Sequence, residues 1–187
     1  TKDMDIIKAA IDAGFQSVMI DASQKSFEDN IAITREVVEY AHAKNVEVEA
    51  ELGKIGATDK IETDNDESLY TDPAEAEEFV ARTGVDTLAV SIGTAHGGYP
   101  GKNPKIDLER LAQIRKRVSI PLVLHGGSGL PPETVQAAIT IPGGGVSKIN
   151  IATDLEQAFL GSLGCQRKTN REIWQMDEKA LAEAAEA

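Results

Sequence analysis

The sequence predicts an α/β fold organised around a parallel sheet. Strand-like and helix-like segments alternate from one end to the other. Five apolar runs are short enough for strands, and each is followed by a helical pattern. The residues able to do chemistry gather just after those strands. An open five-stranded sheet and a portion of an eight-stranded barrel both fit, and both folds bind ligands at the C-terminal ends of their strands.

Met4, Ile6, Ile7, Ala10 and Ile11 recur at helical spacing over Asp3–Ala13, and Gly14 ends the run. Gln16–Asp21 is a short buried strand. A long helix spans Phe27–Asn45, with Ser26 as its N-cap ahead of Glu28 and Asp29. Val46–Glu51 is the second strand. Lys54–Asp72 is polar, acidic and Gly-bearing, and reads as a long loop. Pro73–Thr83 is a helix with Asp72 as cap and Pro at its first position. Thr87–Gly93 is a strand, and a Gly- and Pro-rich loop covers Thr94–Lys105. Asp107–Val118 is a helix, Ile120–His125 a strand, Pro131–Ile141 a helix and Val146–Ile151 the last strand. Helices follow at Thr153–Leu163 and Glu172–Ala185, and the Ala/Glu-rich end frays.

At 187 residues the chain is one domain's worth of material. Its 41 % apolar content suffices for a packed core, which excludes a disordered chain. No apolar run approaches the ~18 residues of a membrane span. The start, Thr1-Lys2-Asp3-Met4-Asp5, is not a signal peptide, and it opens on a helical pattern without an initiator Met, which predicts a processed or truncated beginning. The net charge of −12 argues against nucleic-acid and anionic-membrane partners, and requires strong local donors for any phosphate ligand. The single cysteine, Cys165, forms no internal disulfide and suits a reducing compartment as a structural or surface thiol.

The strand ends carry, in order, Asp21 and Ser23; Glu51 and Gly53; Gly93 through His96 and Gly97; His125-Gly126-Gly127-Ser128-Gly129; and Asn150 with Thr153. Side-chain alternation along Val46–Glu51 puts Val46, Val48 and Ala50 on one face and Glu47, Glu49 and Glu51 on the other. Carboxylates facing a barrel interior need a partner or a metal; otherwise the strand is half-exposed and its glutamates solvated. His96 and His125 end different strands, and with the acids of the same rim they form the start of a zinc site, or else are separate polar loop residues. His42 lies mid-helix, away from the rim. The Gly126–Gly129 turn and the start of the Thr153 helix offer backbone donors to an anion, although such turns also serve packing alone.

Seven stretches carry a joint resemblance: GFQSVMIDAS at 14–23, the run from Asn30 through the long helix, VEVEAELGKIG at 46–56, YTDPAEAEEFVARTGVDTLAVSIGTAHGGY at 70–99, PKIDLERL at 104–111, IPLVLHGGSGLP at 120–131 and SKINIATDL at 147–155. Together they resemble the class II, zinc-dependent fructose- and tagatose-bisphosphate aldolases. The resemblance implies a (β/α)8 TIM barrel, of which residues 1–187 form a single catalytic domain holding the last five strand–helix units. It also implies reversible aldol cleavage of fructose-1,6-bisphosphate or tagatose-1,6-bisphosphate to dihydroxyacetone phosphate and glyceraldehyde 3-phosphate. A cytoplasmic homo-oligomer, dimer or tetramer, in carbohydrate metabolism such as glycolysis follows in the same way.

Residue by residue, His96 and His125 match two of three zinc ligands, and Glu51 and Asp21 match acids beside the metal's alternative position. Gly97, Gly126 and Ser128 match the loops holding the substrate phosphate and a monovalent cation, Na+ or K+. Asn150 matches the contact to the ketone and Thr153 a further phosphate contact. Asp59 falls where the family has a proton-moving loop glutamate, one methylene longer. The sequence departs from the pattern in that loop, and in having Pro100 where many fructose-type members have Lys. The turn Ile141–Gly145 is also longer than usual. The family's third zinc histidine and a proton-shuttling aspartate are expected on a strand before Thr1. Two alternatives remain: a Schiff-base aldolase using Lys148, whose plainer role is a structural ion pair, and an inactive barrel fragment.

Overall fold

A computed structural model describes residues 1–55, 69–96 and 104–164. Its elements run α1 (Met4–Asp12), β1 (Ser17–Ile20), α2 (Phe27–His42), β2 (Glu47–Leu52), α3 (Pro73–Thr83), β3 (Thr87–Val90), α4 (Leu108–Arg117), β4 (Leu122–Leu124), α5 (Pro132–Thr140), β5 (Val146–Ile149) and α6 (Thr153–Ser162). Four helices begin on side-chain caps. Asp3 accepts from the Asp5 N–H, Ser26 from Asp29, Asp72 from Ala74 and Glu75, and Asp107 from Arg110. Gly84, at φ 69°, closes α3 in the left-handed region.

Two expectations shift locally. The long helix stops at His42, because Asn45 takes a φ of 57° and turns the chain into β2. The extended turn Ile141–Gly145 also has a packing reason. The Gly145 N–H donates to the Ile139 carbonyl at 3.0 Å, and a Cβ there would collide with the Ala138 carbonyl. The two glycines before it have φ near 89° and 88°, so the turn brings the chain back against α5 by a route few other residues can follow. The helix expected over Glu172–Ala185 and the cysteine at position 165 lie outside the described residues.

The five strands form one parallel sheet in the order β1-β2-β3-β4-β5. Register decides what each face carries. Glu51 pairs with Ala89, Ala89 with Val123, and Val123 with Lys148, so these four share a face. Glu49 pairs with Met19 on the same side. The opposite face carries Val18, Ile20, Val48, Ala50, Leu88, Val90, Leu122 and Leu124, which join a single core cluster with Ile7, Ile11, Ile31, Val37, Phe79, Leu111 and Ile114 of the helices. Helices α1 to α5 therefore all bury side chains against one face. A doubly wound open sheet places helices on both faces. A sheet with helices on one side and small or charged residues on the other is the wall of a (β/α) barrel. A register shift between Leu122 and Val123 skips one residue of β5 and brings Lys148, rather than Ser147, level with Val123.

Phe79 has no solvent exposure, and its ring centroid lies 6.3 Å from that of Phe27. Phe79→Ala should cost about 3–5 kcal/mol, the usual range for an aromatic lost from a packed core. Chemical denaturation of the full-length protein measures this directly, and a loss below about 1 kcal/mol would show that α3 is not tied to the sheet as described.

Candidate active site

The C-terminal ends of β1 to β5 bring together most of the residues singled out in the sequence. Potential ligand atoms of Glu51, His96 and His125 lie within 4.8 Å of one another. Glu51 comes from β2, His96 follows β3 and His125 follows β4. Glu51 and His125 are buried while His96 is exposed, so the cluster opens to solvent on one side. The two imidazole centroids are 5.7 Å apart.

His125 is the centre of a hydrogen-bonded chain that crosses the inner face. Its Nδ1 lies 2.9 Å from Glu51 Oε2, and its Nε2 lies 3.0 Å from Glu49 Oε1. The other Glu49 oxygen accepts from Lys148 Nζ at 2.7 Å. The other Glu51 oxygen is 3.0 Å from Ser23 Oγ, which is 2.7 Å from Asp21 Oδ1. Burial by itself would lower the His125 pKa, but the two carboxylates outweigh it and push the value up to about 9. Burial would raise the Glu49 carboxyl, yet His125 and Lys148 hold it below its ordinary value. Asp21 is likewise held low, because the Ser23 hydroxyl and N–H and the Lys2 ammonium outweigh its partial burial.

Two imidazoles and a carboxylate would suit a transition metal such as zinc. A metal ligand must be deprotonated, so metal binding at His125 displaces one of its two protons. Asp21 is outside the three-residue group, and among the described residues Ser23 links it to Glu51. The expectation that Glu49 shares a face with Glu51 is met, and Glu49 is paired rather than solvated. Glu47 alone of the three glutamates is exposed. His42 is remote from the cluster: it sits at the end of α2 with its Nε2 2.8 Å from Asp86 Oδ2.

The Gly-rich turn after β4 has a structural duty of its own. Gly126 has φ 69°, and a Cβ there would strike the Ala95 backbone; at Gly127 a Cβ would lie 2.5 Å from the Ile149 side chain. The Gly127 N–H donates to the Asn150 carbonyl at 2.9 Å, and Gly129 N–H to Asp154 Oδ2 at 3.0 Å. Buried Ser128 turns its hydroxyl to α6, where Oγ accepts from Ala152 and Asp154 N–H at 3.1 and 3.2 Å. The N–H groups of Ser128 and Thr153 make no hydrogen bond to another described residue. Asn150 follows β5 directly and is half-buried, its carbonyl accepting from this turn. Asp59 and Gly97 lie outside the described residues.

A sequence-family model described as fructose-bisphosphate aldolase class-II matches residues 1–187. The chain belongs to the class-II fructose-bisphosphate aldolase family. The fructose-bisphosphate aldolase of Geobacillus stearothermophilus is 52 % identical over 152 residues, covering 81 % of this chain and 51 % of that protein. The crystal structure of the YdjI aldolase from Escherichia coli K12 superposes with a TM-score of 0.74 at 38 % identity, over 97 % of this chain and 60 % of that one. The Campylobacter jejuni fructose-bisphosphate aldolase gives 0.64 at 30 % identity, over 84 % and 48 %. The chain therefore spans about half the length of the curated aldolase it matches. These structural neighbours are aldolases of TIM-barrel type, which agrees with the one-sided packing of the sheet. Class-II aldolases are generally metal-dependent, and the donor cluster is a possible metal site.

Glu49, Lys148 and Ser23 complete the cluster although sequence analysis named only the last as a rim residue. The alternation of β2 was the signal for Glu49. Nothing local signalled that Lys148 would reach it. Removing the Ser128 hydroxyl should take away the acceptor of the Ala152 and Asp154 N–H groups at the start of α6. Ser128→Ala is expected to cost about 1–2 kcal/mol of stability, the range for a lost helix cap, measured as a fall in denaturation midpoint. An unchanged midpoint would show that α6 does not depend on this contact.

Proposed function

We propose that this chain carries the metal-binding and phosphate-binding half of a zinc-dependent ketose-bisphosphate aldolase. The convergence of Glu51, His96 and His125 at one strand rim is the observation that supports it most directly. The reaction is reversible cleavage of fructose-1,6-bisphosphate or tagatose-1,6-bisphosphate to dihydroxyacetone phosphate and glyceraldehyde 3-phosphate. His96 and His125 would hold the zinc, with Glu51 and, through Ser23, Asp21 as nearby acids. A zinc ion there would act as a Lewis acid on the ketone oxygen.

The chain's own residues do the rest. The N–H groups of Ser128 and Thr153 are available for a substrate phosphate at the start of α6, where the helix field favours an anion. Holding the phosphate fixes the distance of the reacting carbons from the histidine pair. Gly97 and Gly126 belong to the same phosphate-binding role, with Na+ or K+ as a further counter-charge. Asn150 would orient the ketone-bearing half of the substrate. Asp59 would move the proton at carbon, in place of a longer glutamate. In the whole barrel, a strand beside β1 would add a third histidine and an aspartate. The single-domain, homo-oligomeric and cytoplasmic expectations belong to this reading. Among the described residues no helix is long and apolar enough to cross a membrane.

The Schiff-base alternative meets an obstacle in Lys148, whose amine is bound to a buried carboxylate at 2.7 Å. An imine-forming lysine needs its amine free to reach the substrate carbonyl, and this amine is held in an ion pair.

Full-length protein should lose aldol cleavage on chelation and recover it with zinc. His125→Ala should lower zinc occupancy and activity together, whereas His42→Ala should lower neither. Full activity after exhaustive chelation, with substrate trapped by borohydride, would sink the proposal.

A further inference from the structure

The inner face holds a buried acid that the proposed chemistry does not use. Glu49 is 3 % exposed, and both of its oxygens are engaged. Oε1 meets His125 Nε2 at 3.0 Å, and Oε2 meets Lys148 Nζ at 2.7 Å. Glu49 is absent from the three-residue donor group, whereas Glu51, which meets Nδ1 of the same ring, is a member. The two nitrogens of His125 thus face different tasks. Nδ1 meets the carboxylate of a member of the donor group, and Nε2 meets an acid with no place in that group.

We propose that Glu49, anchored by Lys148, is a positioning residue that keeps a proton on His125 Nε2 and so presents Nδ1 as the metal-ligating nitrogen. Resting on the zinc-aldolase reading above, this adds the coordinating atom and the residues that select it. The physical basis is general. A histidine ligand has its tautomer and ring angle set by the hydrogen bond its other nitrogen makes. A carboxylate partner also makes the imidazole a better donor to the metal.

Lys148 has a defined part in this arrangement. Glu49 stands on β2 and Lys148 on β5, with β3 and β4 between them. The register shift in β5 aligns Lys148 with Val123 on the inner face. The ammonium occupies one carboxylate oxygen, leaving the other for His125. With the Lys148 side chain 55 % exposed, it ties the buried acid to solvent rather than leaving a second charge stranded.

The test uses full-length protein, with zinc as probe and a chromophoric chelator as competitor. Glu49→Gln keeps the size and a weaker acceptor, and should lower zinc affinity about tenfold; Glu49→Ala should approach a hundredfold loss. Substrate KM should change little while kcat falls, because the altered group acts on the metal ligand and not on substrate. Lys148→Arg, which retains the ion pair, should keep the parent affinity, and Lys148→Met should fall toward Glu49→Gln. If Glu49→Ala does not fold, Glu49→Gln and Lys148→Met decide the matter. Folded Glu49→Gln with the parent's zinc affinity would overturn the proposal, as would lowered stability with no change in zinc binding. The two readings fail differently. A parent that binds no zinc overturns the metal site itself, whereas loss in His125→Ala without loss in Glu49→Gln overturns only the positioning role.

Discussion

Two glutamates buried on the inner face of a parallel sheet set the terms for the rest of this structure. Glu49 and Glu51 are 3 % and 2 % exposed. Burying an unpaired carboxylate costs several kcal/mol, more than most single packing contacts return. The fold meets that cost with contributions from separate strands. Lys148 arrives from β5, His125 from the end of β4, and Ser23 from the end of β1. None of these partners is near β2 in sequence; the closest is 28 positions away. The polar chain therefore exists only when the strands have assembled in their native order.

The same constraint explains the division of labour between the sheet faces. Most of the bulky aliphatic residues lie on the helix side, where they form one core cluster with α1 to α5. The inner face keeps Ala89 and Val123 between the charged positions of β2 and β5. Stability and chemistry thus draw on opposite sides of the same strands, and the C-terminal rim can hold costly polar groups because the helix side supplies the packing.

Glycines at the rim join these two requirements. Gly126 and Gly127 let the turn after β4 approach Ala95 and Ile149 closely. That approach brings His125 toward His96 and lets Ser128 cap α6.

Much of this was legible in the sequence. Caps at Ser26 and Asp72 located helix starts, and the five short apolar runs located strands, because both signals are local. Side-chain alternation put Glu49 and Glu51 on one face, and strand ends picked out His96 and His125. The extended motifs carried the family resemblance and hence the barrel. Sequence periodicity could not choose between an open sheet and a barrel wall, since both bury the same strands; the one-sided placement of the helices decided it. Nor could it pair Lys148 with Glu49, because that contact depends on the register shift in β5 and on the intervening strands. The sequence by itself determined which residues stand at the rim, through short-range propensity and alternation. Only the tertiary structure decided which of them meet, because a contact across 99 positions of chain is fixed by strand register and sheet curvature, and neither is encoded within one segment.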